Sequence, residues 1–182
     1  MIMKVFDPTA YGPKIAPLLT PAGLPELGPG SPNRSALTAL AALTPESLFP
    51  LLSDRSMALG CISGLYLLHD FLDESHRISQ DLSTTTGSCW HAIMHRREPD
   101  PTNSKYWWRE VGKHPVFEEL AIDAKELGLR LRSDHWSPFD FIDLCEKHRG
   151  TGSEEEMLLQ RVQRREWELL FDWCFRRAIG TD

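Results

Sequence analysis

Residues 54–81 read DRSMALGCISGLYLLHDFLDESHRISQD, and this run decides the fold class. Leu59, Ile62, Leu65, Tyr66, Leu68 and Leu72 recur at helical spacing, so the pattern predicts one helix from about Asp54 to Asp81. The most apolar part, Met57 to Leu72, is interrupted by His69 and Asp70 and is too short to cross a bilayer.

Working outward, almost every stretch from Arg34 onward carries helix signals, and none sustains a period-2 alternation. An all-α fold is expected. Thr44-Pro45-Glu46 reads as a cap followed by Pro at the first helical position, and the loop at residues 84–88 leads into a helix that must end near Pro99. Residues 104–111 form a short helix closed by Gly112, Pro115 opens another that runs to Gly128, and Ser137-Pro138 opens a third, stopped by Gly150. Ser153 followed by Glu156 reads as a capping box at the head of a long final helix through Trp167, Phe171 and Phe175.

The first 33 residues differ in kind. They hold seven prolines, at positions 8, 13, 17, 21, 25, 29 and 32, which rule out a sustained helix or a central strand. Val5, Phe6, Ile15, Leu18, Leu19, Leu24 and Leu27 are too apolar for a free tail. An extended arm (residues 1–33) lying over the core or over a partner subunit is expected, beside one compact helical domain (residues 34–182). An apolar arm of this kind either builds a homodimer or covers its own core.

Composition narrows the function classes. At 182 residues with 41% hydrophobic and 25% charged content, the chain is an ordinary globular one. A net charge of -6 argues against nucleic-acid binding, which needs a clustered basic surface. Cys61, Cys89, Cys145 and Cys174 are widely spaced with no C-x-x-C pair, as in reduced cytoplasmic proteins. Asp7 and the early prolines are unlike a secretory signal. No membrane segment is expected.

Two histidine-carboxylate sets carry the chemistry: His69, Asp73 and His76, then His91, His95 and Glu98, each spaced i, i+4, i+7. Each set would fall on one face of its own helix. Packed together, the two faces would gather four imidazoles and two carboxylates. His69, His76, His91 and His95 are then metal ligands, and Asp73 and Glu98 are further ligands or proton acceptors. Imidazole-rich ligation suits a divalent transition metal: zinc, iron, nickel or manganese. The competing reading makes the first pair core histidines bonded to Asp73 or a backbone carbonyl, and the second pair a solvated polar face flanked by Arg96 and Arg97.

His69-Asp70 is also the doublet that ligates metal in HD-type phosphohydrolases, but no histidine precedes it to complete that set. Arg96 and Arg97 could meet an anionic group of a small-molecule ligand, and Tyr106 and Trp107 could wall its binding site. His114 would bring a fifth imidazole to the cluster, whereas His135 and His148 read as structural or solvated. Phosphate loops, nucleophile elbows and dinucleotide fingerprints are all lacking.

The run from Trp90 to Asp100, followed by Asn103 and Tyr106-Trp107, resembles a family of bacterial proteins of unknown function marked by H-x-x-x-H-R-x-E-x-D-x-x-N-x-x-Y-W. The resemblance spans roughly residues 60–120. It implies that these residues form one site, and it implies no activity. The sequence therefore supports two expectations, a metal-assisted hydrolase pocket or a structural or ligand-binding protein with a buried histidine network.

Overall fold

Side-chain caps set where most of the helices begin. The computed structural model describes residues 3–20 and 23–181, so Met1, Ile2, Pro21, Ala22 and Asp182 of the expected arm and domain lie outside the described residues. Ten α-helices occur among them: α1 (Ala16–Leu19), α2 (Leu37–Ala41), α3 (Pro45–Leu48), α4 (Arg55–Leu68), α5 (Leu72–Ser79), α6 (Thr85–Arg97), α7 (Pro101–Val111), α8 (Val116–Glu126), α9 (Pro138–His148) and α10 (Glu154–Ile179). No strand occurs among the described residues, and the fold is all-α. Thr44, Asp54, Thr84, Asp100, Ser137 and Ser153 each accept the backbone N–H three residues on, satisfying a donor that a bare helix end would leave orphaned. One cap differs from expectation: the Glu156 carboxylate bypasses Ser153 and accepts from the N–H groups of Gly150 and Gly152, at 2.6 and 2.7 Å.

The single helix expected over residues 54–81 is two. α4 ends at Leu68, and Asp70 takes the left-handed conformation with φ 63°. Asp tolerates this region better than most residues, at a cost on the order of 1 kcal/mol. Tertiary partners offset it, since the Asp70 carboxylate accepts from Arg97 Nη2 and from the Ser31 backbone N–H. No proline or glycine marks the break, because its cause lies far away in the chain.

α10, roughly 39 Å long at 1.5 Å per residue, packs against α4, α8 and α9, while α6 lies against α4, α5 and α7. Trp90, Trp167, Phe171 and Leu65 centre one part of the core, and Leu120, Phe141 and Val162 the other. Gly60 and Gly64 of α4 let Trp90 lie against the helix: a Cβ on Gly64 would meet the indole at 2.8 Å. The Trp167 N–H then donates to the Gly64 carbonyl at 2.8 Å.

α6 departs furthest from expectation. Cys89 through Arg97 are all buried, so its charged end is interior and not a solvated face. Arg96 pairs with Glu166 and reaches Gln163 of α10, its guanidinium stacked over Phe141 at 4.6 Å. Arg97 donates to the carbonyls of Glu26, Gly28, Pro29 and Leu67 as well as to Asp70. The arm is thereby fastened to its own core, with Tyr11, Ile15, Leu18, Leu19 and Leu27 buried. The prolines do not forbid all helix there: a 3₁₀ turn at Pro8–Tyr11 and α1 form within the arm. No helix among the described residues is long and apolar enough to cross a membrane.

Candidate metal centre

Three helices supply the site. His76 stands in the last turn of α5, His91 and His95 lie one turn apart on α6, and Asn103 is the third residue of α7. The turn at residues 98–100 folds α7 back along α6, where the Ser104 hydroxyl donates to the Ala92 carbonyl at 2.7 Å. His91 and His95 are 2% and 5% exposed, while His76 is half-buried. One ligand atom from each of the three rings lies within 4.8 Å of the others.

The hydrogen bonds around the rings fix what their nitrogens can do. Glu98 Oε2 lies 3.0 Å from His95 Nδ1, so this carboxylate accepts the Nδ1–H and leaves His95 Nε2 with its lone pair. Ser79 Oγ lies 3.0 Å from His91 Nδ1. The two Nε2 atoms face each other at 3.0 Å, and the Asn103 amide nitrogen lies 3.2 Å from that of His95. Without a cation, His91 Nε2–H donates to His95, and the Ser79 hydroxyl donates to His91 Nδ1. With a cation, His91 needs only the other tautomer, donating Nδ1–H to Ser79, whose hydroxyl then turns to the His76 carbonyl at 3.3 Å. The serine serves either state because a hydroxyl both donates and accepts.

The spacing suits an ion. With metal–nitrogen bonds of about 2.1 Å, two nitrogens at roughly 90° lie about 3.0 Å apart and two opposed nitrogens about 4.2 Å apart. The imidazole pair already has the first separation, and the ligand atom of His76 lies within 4.8 Å of both. Among the described residues no hydrogen-bond partner meets the His76 ring, which packs against His91 and His95 at 4.6 and 5.4 Å between centroids. Rotating the Asn103 amide presents its oxygen in place of its nitrogen, offering a fourth donor.

Burial holds the His91 and His95 rings neutral. It pushes the His91 pKa down to about 3, with the neighbouring His95 and His76 adding to the effect. Burial also lowers the His95 value, against the opposing pull of Glu98. Neutral imidazoles are the form that binds metal.

Family models, curated proteins and solved structures give no match to this chain. Function is therefore argued from geometry.

The other residues singled out in the sequence fall elsewhere. His69 does not share a face with His76, because the chain turns at Asp70; its Nε2–H donates to the Leu18 carbonyl at 2.9 Å, and its Nδ1 meets the Asn33 amide at 3.0 Å. It clamps the arm, as the core-histidine reading has it. Asp73 is exposed and bonds none of the three rings. Arg96 and Arg97 are paired in the interior with Glu166 and Asp70. His114 bonds Thr86 at 3.2 Å and packs on Phe117 and Trp173, apart from the cluster. Glu98 is close, but its bond to His95 makes it a positioning group. Trp107 packs on the His91 ring at 4.2 Å between centroids, and Tyr106, 52% exposed, packs on Trp107 from outside. Sequence reasoning missed Ser79 and the polar role of Asn103. Ser79 follows His76 by three residues, a spacing that puts both on one helix face.

Proposed function

We propose that His76, His91 and His95 bind one divalent transition-metal ion and that the protein uses it to activate water for hydrolysis. One observation carries this reading: Glu98 and Ser79 take up the Nδ1 positions of His95 and His91, so that both Nε2 atoms converge 3.0 Å apart beside a third imidazole. Acceptors of this kind behind ligand histidines fix the ring tautomer and orientation and raise ligand basicity. Three neutral ligands leave the full charge on the ion and leave coordination positions for water, whose pKa an ion so held brings to about 7. Half-buried His76 and exposed Tyr106 mark the side from which a substrate enters, with Trp107 as the wall.

The second reading, a metal-free network fixing the helix pairing, is favoured by the fact that the 3.0 Å Nε2–Nε2 separation is itself a hydrogen-bond length. Calorimetric titration of chelator-treated protein with zinc, manganese, nickel and ferrous ions separates the two. Saturable binding of one ion per chain, abolished in His91→Gln/His95→Gln and followed by hydrolysis of activated phosphate or carboxylate esters, supports the proposal. Absence of binding, with the double variant melting several degrees lower, supports the network.

A further inference from the structure

A second concavity, sharing no residue with the metal centre, opens between the segment of residues 129–137 and α9 and encloses about 230 Å³. Its buried floor is apolar, made by Leu129, Trp136 and Phe141, with the two rings 4.9 Å apart. Its charged rim is unbalanced. Asp140 is engaged by Arg132 and Asp143 by Lys105, whereas exposed Arg130 and Lys147 meet no ion-pair or hydrogen-bond partner among the described residues. Two uncompensated cations therefore border an apolar hollow on a chain of net charge -6. Trp136, 6% exposed, carries an indole N–H with no acceptor among the described residues, and an orphaned buried donor is rare in folded proteins.

We infer that this concavity binds a small amphipathic organic anion, its apolar body on Leu129, Trp136 and Phe141 and its charge between Arg130 and Lys147. Apolar walls with a few convergent polar groups are the usual composition of a ligand site, and a volume below the roughly 300–1,000 Å³ of drug-sized sites restricts the occupant to a small molecule.

The indole N–H signals of the full chain in a ¹⁵N–¹H correlation spectrum test this, with the Trp136 signal assigned by its loss in Trp136→Phe. The probe is 3-phenylpropionate, compared with its uncharged amide. The Trp136 signal is expected to move and saturate with a millimolar Kd while the other five tryptophan signals stay in place. The amide, and Arg130→Ala/Lys147→Ala with the acid, should bind at least tenfold more weakly, and the His91→Gln/His95→Gln variant should bind the acid unchanged. A Trp136 signal unmoved at about 10 mM acid, equal binding of acid and amide, or movement spread over all six indoles would overturn the inference.

Discussion

Glu98 and Ser79 are small parts of the molecule with a large say in its chemistry. Each holds the far nitrogen of a ring whose near nitrogen faces the proposed ion. Their exposure differs, so their variants separate binding from folding. Glu98→Ala, at a side chain 51% exposed, should leave stability within about 0.5 kcal/mol by urea melts and weaken metal binding roughly 10- to 100-fold by calorimetry. Equal affinity of variant and native protein would remove Glu98 from the site. Ser79→Ala strips a buried imidazole nitrogen of its partner and should lower stability by about 1–3 kcal/mol. Histidine spacing made His91, His95 and His76 legible in the sequence. What Glu98 does was not, since a carboxylate three residues after a histidine reads equally as ligand, base or positioning group until its bond is seen.

At the scale of the helix, the charged end of α6 sets the architecture. Its arginines read as surface groups because arginine is almost never fully buried unless paired, and the partners that permit burial come from α10, the arm and Asp70, 27 to 71 residues away. Local pattern carries no trace of such pairing. For the same reason the break between α4 and α5 escapes the sequence, while the capped starts of α9 and α10 do not, their signal lying within three residues. α6 and α7 begin at Thr85 and Pro101, earlier than the expected loop at residues 84–88 and helix at residues 104–111 place them. Arg97→Ala leaves four carbonyls and Asp70 without their cation and should cost about 3–5 kcal/mol. Limited proteolysis should then cut the arm near residues 23–33 well before the helices. Gly64→Ala drives a methyl into Trp90 and should destabilise by about 1–3 kcal/mol in urea melts. A neutral result would mean that α4 and α6 stand further apart than described.

For the whole molecule, buried neutral histidines tie stability to pH. The values for His69, His91, His95 and His114 are all lowered, chiefly by burial, those of His91 and His114 to about 3 and about 4. Below about pH 6.5 the unfolded chain binds protons that the folded chain refuses. Stability is therefore retained above that pH and lost as pH falls through the window toward 4, by up to about 1.4 kcal/mol per unit for each histidine. Urea midpoints should drop steadily from pH 7 to pH 5, and a flat profile would contradict the burial of these rings. The all-α class was legible because helical periodicity runs through nearly the whole chain. How the arm docks was not, because its apolar residues fit a subunit interface as well as they fit the hydrophobic groove where Tyr11, Ile15 and Leu18 lie.

Elemental analysis of protein purified without a metal-affinity tag, set beside His91→Gln/His95→Gln prepared the same way, tests the metal centre most directly. About one transition-metal ion per chain, absent from the variant, is the predicted result. Native protein free of metal, and still free of it after incubation with divalent zinc, manganese, nickel and ferrous ions, would contradict the account and leave His91 and His95 as a hydrogen-bonded pair packed against His76.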